Sequence, residues 1–270
     1  MNLVSMTQKV ILLTGATDGI GLETARRLMA QGHHVLVHGR SPAKLKAAFG
    51  DEAESYCCDL SHLHEIPRMA QQIKEKHGHL DVILNNAGVL KTPEARTKEG
   101  LDTRITVNTI APYLLTRELM PLLNDQSRVI NLSSAAQAPL DMDGVTGDAP
   151  YSDDMQAYAQ SKLGIVQWTN ALARLRSKEG PVLVSVNPAS LLGSKMVKEA
   201  FGKDGKDLGI GADILVRAAL SDEFGRSAHG KYYDNDHQTF ADPHPDALDP
   251  KKCQRLVETM DEVLNRIGIQ

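Results

Sequence analysis

Short apolar runs recur along the chain at residues 10–13, 35–37, 82–84, 128–132 and 182–186. They lack strict apolar/polar alternation, which predicts strands covered on both faces rather than half-exposed ones. Between them, helical spacing predicts helices over residues 20–31, ending at Gly32, and over 63–76, ending near Gly78. Two longer helices are predicted over 103–123 and 155–176. Strand followed by helix, repeated, gives an α/β chain with a doubly wound parallel sheet and helices on both faces. Ligands of such a sheet collect at the carboxyl ends of the strands, where the strand order reverses. Three stretches stay irregular, at 137–153, 189–211 and 234–250.

A chain of 270 residues is long enough for one such core and short for two, so residues 1–270 are read as a single domain. The net charge of -4, with no Lys/Arg block, gives no reason to expect nucleic acid or an anionic membrane as partner. Residues 1–7 show no targeting pattern, and no apolar run approaches the roughly 20 residues that a membrane span needs. Three cysteines make no even disulfide framework, and the adjacent Cys57 and Cys58 read as packing rather than redox chemistry. A cytoplasmic setting is expected. No metal site is expected either: His33-His34 and His62/His64 read as surface residues. Asp141, Asp143, Asp148, Asp153 and Asp154 lack calcium-loop spacing and read as a solvated acidic loop beside the substrate entrance.

Chemistry enters with Thr14-Gly15-Ala16-Thr17-Asp18-Gly19-Ile20-Gly21, which follows the first strand and opens the first helix. Gly15 allows the tight turn, Gly19 close approach of backbone to a pyrophosphate, and Gly21 close helix packing, while the helix start offers free N–H groups to the anion. The spacing is Gly-x-x-x-Gly-x-Gly with no Gly-Lys-Ser/Thr ending, so a dinucleotide is the expected ligand rather than a triphosphate.

Three further motifs follow in order: Asn85-Asn86-Ala87-Gly88, Asn131-Leu132-Ser133-Ser134 and Tyr158-Ala-Gln-Ser-Lys162. With the glycine loop they make the chain resemble the short-chain dehydrogenase/reductase family over about residues 9–189, and in particular its retinol-dehydrogenase-like members. The resemblance implies a Rossmann-type fold and an oxidoreductase transferring hydride between a nicotinamide and an apolar carbonyl or alcohol substrate. One helical turn separates Tyr158 from Lys162, so the two share a face. The Lys162 ammonium and an oxidised nicotinamide both favour the Tyr158 phenolate. In reduction, Tyr158 donates the proton to the substrate oxygen and Ser134 hydrogen-bonds the same atom. The family pattern selects Ser134 over Ser133, has Lys162 hold the nicotinamide ribose, and gives Asn108 a water-mediated proton relay. For Asn108 an alternative is an asparagine satisfied by backbone within its helix. The interval from Ser134 to Tyr158 is about ten residues longer than usual in the family, as in its retinol-dehydrogenase-like members.

On the cofactor side, the second strand ends in Gly39-Arg40-Ser41, where NAD-preferring relatives carry an Asp at the position of Gly39. Arg40 and Ser41 suit a 2′-phosphate, so NADP(H) is preferred, with NAD(H) still open. The alternative makes Arg40 a surface residue paired with an acid, and Asp18 weighs against the phosphate reading. By resemblance, Asp59 and Leu60 contact the adenine, Asn86, Ala87 and Gly88 border the cofactor, and Pro188-Ala189-Ser190 borders the nicotinamide, Ala189 replacing the usual glycine. Substrate loops are expected at 137–157 and 189–211, the second as a lid with a short helix at 196–201, and Leu191, Leu192, Met196 and Phe201 as an apolar wall. A homodimer or homotetramer through the helices at 103–123 and 155–176 is a family expectation. Two other readings stay open: a cofactor-sensing regulator without turnover, and an epimerase or dehydratase, for which the chain is short.

Overall fold

The sheet consists of β1 (Val10–Leu13), β2 (His34–Gly39), β3 (Glu54–Cys57), β4 (Val82–Asn85), β5 (Arg128–Leu132), β6 (Val182–Asn187), β7 (Tyr232–Asp234) and β8 (Thr239–Ala241). In the computed structural model, which describes residues 7–176, 179–202 and 204–270, their order is β3-β2-β1-β4-β5-β6-β7-β8. Neighbouring strands are parallel except for β8, which runs antiparallel to β7. The order reverses between β1 and β4, and the glycine loop and the Asn86-Ala87-Gly88 segment leave the sheet there. The helices are α1 (Gly19–Ala30), α2 (Pro42–Phe49), α3 (Glu65–Lys76), α4 (Thr103–Ile105), α5 (Ala111–Leu119), α6 (Met142–Thr146), α7 (Asp154–Leu175), α8 (Lys195–Phe201), α9 (Leu208–Leu220), α10 (Pro245–Leu248) and α11 (Pro250–Arg266).

Strand side chains alternate between two separate cores. Ile11, Leu13, Val35, Val37, Val184 and Val186 pack under α1 and α9 with Leu28 and Leu215, whereas Leu12, Leu36, Ile83, Val129 and Leu183 pack under α3, α5, α7 and α11. An uninterrupted apolar strand therefore supplies both faces at once, which is why the runs showed no alternation.

The helix expected over 103–123 is interrupted. Residues Thr106–Ile110 form a π turn between α4 and α5, and Pro112 stands at the start of α5. Proline has no N–H for the carbonyl one turn before it, and a wider turn absorbs that mismatch. At the carboxyl end, α11 was not anticipated, although Asp249-Pro250 supplies its cap and first turn and its buried residues Cys253, Leu256, Val257, Met260, Val263 and Leu264 recur at helical spacing. It lies on α7, and Asp261 accepts a hydrogen bond from Tyr113 at 2.8 Å and one from Arg117 at 3.1 Å. The two helices assigned to a subunit contact are thus covered by their own chain: Tyr113 and Trp168 are buried within it. Among the described residues no helix is long and apolar enough to cross a membrane.

Candidate active site

Backbone contacts set the floor of the site. Gly15 takes a φ of +67°, and a Cβ there would lie 2.9 Å from Ala87 Cα; one on Gly21 would lie 2.1 Å from the Gly15 carbonyl oxygen. Only hydrogen fits at either position. Asn86 secures the arrangement by donating from Nδ2 to the carbonyls of Thr14 (2.9 Å) and Gly15 (3.1 Å). Thr14 Oγ1 in turn accepts from the N–H groups of Asn86 and Ala87. Asp18, expected beside the cofactor, caps α1 by accepting from the Gly19 N–H at 2.8 Å. Thr17 and Ile20 are half-buried next to it.

His38 ties this loop to the neighbouring strands and went unnoticed in the sequence. Its Nδ1 accepts from the Gly15 N–H at 3.2 Å and its Nε2 donates to the Cys58 carbonyl at 2.9 Å. The bond accepted at Nδ1 requires the neutral ring, with its proton on Nε2. Burial pushes its pKa down to about 4, against smaller upward effects of the Cys58 carbonyl and Asp59. No local pattern distinguishes such a histidine, because its partners lie 23 and 20 residues away.

Where β2 ends, a Cβ on Gly39 would meet Thr17 Cγ2 at 2.6 Å and Leu45 at 3.3 Å. A carboxylate side chain has no room there without displacing Thr17. Arg40 is exposed and makes no ion pair within 4 Å with a described residue, so the surface pairing considered for it is not formed, although its charge helps to lower the Asp59 pKa. Ser41 accepts from the Lys44 N–H at 3.3 Å as the cap of α2. Asp59 Oδ1 accepts from the Ser61 N–H and hydroxyl at 2.9 and 2.7 Å. The Leu60 side chain is buried in the core directly after Asp59. Cys58 is buried as expected, whereas Cys57 is exposed.

The strand β5 and helix α7 bring the Ser, Tyr and Lys together. Ser133 is buried and donates to the Lys162 carbonyl at 2.7 Å, bracing the helix. Ser134 is half-buried, its Oγ accepts from the Ala136 N–H at 3.1 Å, and it stands close enough to Tyr158 to lower that phenol's pKa. Its carbonyl is held by Gln137 at 3.0 Å and Tyr232 at 3.2 Å, two residues the motifs did not indicate. Lys162 Nζ donates to the Leu132 carbonyl at 2.9 Å and sits 5.7 Å from the centre of the Tyr158 ring. A Cβ placed on Gly88 would lie 3.3 Å from Lys162 Nζ and 3.4 Å from Asn108 Oδ1, so both converge on that glycine.

Burial raises the Tyr158 pKa and the neighbouring Ser134 hydroxyl offsets part of that rise, which favours the neutral phenol, the form that donates a proton in reduction. Lys162 Nζ stands over the Tyr158 ring, and burial lowers its own pKa to about 8. Asn108 uses both donors of its amide, on the Val89 carbonyl (2.8 Å) and Ser161 Oγ (2.9 Å), and accepts from the Val89 N–H at 2.8 Å. Backbone thus satisfies much of this side chain, which lies in the π turn at the foot of Lys162.

After β6, the Pro188-Ala189-Ser190 turn is strapped to the β7–β8 hairpin. Asp236 accepts from the Ser190 N–H at 2.9 and 3.1 Å, from the Ser190 hydroxyl and from Asn187 Nδ2. Asn235 donates to the Pro188 carbonyl at 2.9 Å. Ser190, expected to touch the cofactor, spends its donors on Asp236. Ala189 has a φ of +117° and Leu191 one of +57°, a region that costs a residue with a side chain on the order of 1–3 kcal/mol.

The acidic insertion is exposed as expected and serves its own folding. Asp141 caps α6, Asp153 caps α7, and Asp154 pairs with the buried Arg104. Gln160 holds the insertion by accepting from the Asp141 N–H and the Tyr151 hydroxyl. A cleft of about 410 Å³ opens between it and α8, lined by Leu90, Lys91, Ser152, Asp153, Asp154, Met155 and Ala200. Of the residues expected as an apolar wall, Leu192 is buried, Leu191 is exposed, and neither they nor Met196 line this cleft, which the reacting Ser134, Tyr158 and Lys162 do not line either. The side chain of Phe201 lies outside the described residues.

Comparison with known proteins agrees with this geometry. A 210-residue stretch is 34% identical to human polyprenol dehydrogenase, covering 72% of this chain and 63% of that protein, so the match spans less than two thirds of the relative's length. Bovine retinol dehydrogenase 12 is 30% identical over 282 residues, covering 97% of this chain and 88% of that protein. A crystal structure named as a short chain dehydrogenase from Escherichia coli CFT073, complexed with NADPH, superposes with a TM-score of 0.68 at 25% identity, covering 84% of this chain and 96% of that one. The model of the short chain dehydrogenase family matches residues 9–204. By that match, which takes in the glycine loop, Ser134, Tyr158 and Lys162, the chain belongs to the short-chain dehydrogenase family and is an oxidoreductase acting on alcohol and carbonyl groups.

Proposed function

We propose that the protein is an NADP(H)-dependent carbonyl reductase or alcohol dehydrogenase in which Tyr158 is the acid–base group. The observation that carries this reading is the meeting of Ser134, Tyr158 and Lys162 at the carboxyl edge of the sheet, beside a loop in which Gly15 and Gly21 leave no space for side chains. Such a cradle fits a dinucleotide, and the retained Ser/Tyr/Lys group argues against the regulator without turnover. When bound, the nicotinamide supplies or accepts hydride. The protein's part is to hold the substrate oxygen between the Ser134 and Tyr158 hydroxyls and to move one proton at that oxygen. Reduction needs a proton on Tyr158, and burial keeps it there. As charge develops on the oxygen, Ser134 stabilises it by hydrogen bonding and Lys162 by its charge across the ring. Asn108 acts by fixing the Val89 backbone and Ser161 beside Lys162.

NADP(H) is favoured over NAD(H) by the crowding at Gly39, where an added side chain would have to displace Thr17, and by the exposed Arg40 guanidinium beyond it, which forms no ion pair with a described residue. A charge-assisted hydrogen bond to a 2′-phosphate contributes about 1.5–3 kcal/mol, or one to two decades of affinity. The test is titration of NADPH and NADH by nucleotide fluorescence, with wild-type protein and Arg40→Ala. NADPH is expected to bind more tightly and to lose about 10- to 100-fold in the variant, with NADH unaffected. Tighter NADH binding would reverse the cofactor assignment, and binding of neither would remove the enzymatic reading.

A further inference from the structure

At the end of the sheet opposite the active site, three side chains from three elements converge. His34 is the first residue of β2, Glu54 the first of β3, and His77 follows the last turn of α3. Glu54 pairs in register with Leu36, two residues along from His34, so His34 and Glu54 project from the same face of the sheet, the face that α3 covers. His34 Nε2 and His77 Nε2 each lie 3.2 Å from Glu54 Oε2, and the three atoms all fall within 4.8 Å of one another.

We propose that His34, Glu54 and His77 form a site for a divalent transition-metal ion, zinc by preference, that clamps β2, β3 and α3 together. Two imidazoles and one carboxylate are a borderline donor set that suits zinc and is poorly matched to magnesium or calcium. Bonds of about 2.0–2.1 Å in a tetrahedral site put neighbouring ligand atoms about 3.3 Å apart. Both His–Glu separations already have that length, and a small rotation of the His34 ring, whose side chain is 43% exposed, can set the third.

The other oxygen of Glu54 is already occupied. Oε1 accepts from the Tyr56 hydroxyl at 2.5 Å and from Lys76 Nζ at 3.2 Å. That leaves Oε2 turned to the imidazoles and makes Glu54 a single-atom ligand oriented from behind, as ligating carboxylates commonly are. Lys76 opposes the ion by charge, but its side chain is 60% exposed and can withdraw to solvent. Water completes the fourth position from the exposed His34 side. No sequence spacing announces the site, because 20 and 23 residues separate its ligands.

The experiment uses the full chain, free of any histidine tag, stripped with chelator and titrated with Zn²⁺, Mg²⁺ and Co²⁺. One Zn²⁺ per chain is expected to bind and raise Tm, Mg²⁺ to do neither, and Co²⁺ to give the visible absorption of a tetrahedral centre. His34→Gln and His77→Gln should each weaken Zn²⁺ binding by about 100-fold or more, and Tyr56→Phe by about 10-fold through loss of carboxylate orientation. Unchanged NADPH binding shows that each variant is folded, and Cys57→Ser, which alters the exposed thiol, should retain the ion. Absence of stoichiometric Zn²⁺ binding, an octahedral Co²⁺ spectrum, equal affinity in the histidine variants, or loss of binding in Cys57→Ser would each overturn the site. The cluster would then be a hydrogen-bonded brace.

Discussion

The shelf made by β5 and α7 and the turn that follows β6 face the same site but are held in opposite ways. Lys162 stands on a 22-residue helix whose residues from Gln160 to Ala171 are buried, and Ser133 and the Leu132 carbonyl lock it from below. The Pro188-Ala189-Ser190 turn is half-exposed, carries a strained alanine, and depends on one carboxylate of a neighbouring hairpin. Groups that must place a proton to within tenths of an ångström sit on packed regular structure. The segment beside the ligand is a loop held by polar bonds that can be exchanged.

The largest effect is expected on the shelf. Tyr158→Phe removes the proton but little packing, so turnover should fall by about 10²–10⁴-fold while NADPH affinity, read by fluorescence, is unchanged. A Phe variant that keeps its turnover would mean that the shelf is scaffolding and the chemistry lies elsewhere.

Next comes the glycine loop, which is as firmly built as the shelf and has His38 as its pin. The folded state holds this ring neutral with a pKa near 4, below the ordinary histidine value of about 6.5. The unfolded chain therefore binds the proton first as pH falls, and stability present above pH 6.5 is lost between about 6.5 and 4. The loss is on the order of 3 kcal/mol at most, at 1.36 kcal/mol per unit. Denaturant titrations across that window should show the slope in wild type and a shallower one in His38→Gln. Equal slopes would show that other groups, such as the buried His33 and the half-buried His229, carry the acid sensitivity.

The smallest effect separates the two regions most sharply. Asp236→Ala should weaken NADPH binding by about tenfold, the lower end of what losing a charge-assisted hydrogen bond costs. Ala189→Gly relieves the positive φ and should change little by itself, yet bring the Asp236→Ala variant back toward wild type, since a glycine turn needs less holding. Strictly additive effects in the double variant would mean that Asp236 does not restrain Ala189.

Much of the fold was legible because strands buried on both faces write themselves as short apolar runs: β1 and β5 begin and end where the runs do. The break at Thr106–Ile110 was not, since a π turn arises from Pro112 meeting the packing of α5 against α7, and helical periodicity hardly registers one extra residue. Helix α11 is legible in its apolar spacing and its Asp249-Pro250 start. Local motifs also told where Ser134, Tyr158 and Lys162 lie in the chain, but not that Lys162 donates to the Leu132 carbonyl or that Ser133 braces α7 through the Lys162 carbonyl.

By itself the sequence determined the order of strands and helices, the glycine loop and the residue types of the reacting group, because these are set by interactions within a few residues. Tertiary structure alone decided which atoms meet across the sheet. His38 against Gly15, Asp236 against Ser190, α11 over α7 and the convergence of His34, Glu54 and His77 all join residues about 20 to 150 positions apart. Such contacts form only when the strand order and the burial of two cores bring the partners together, and hydrogen bonds and desolvation act over a few ångströms of space, whatever the distance along the chain.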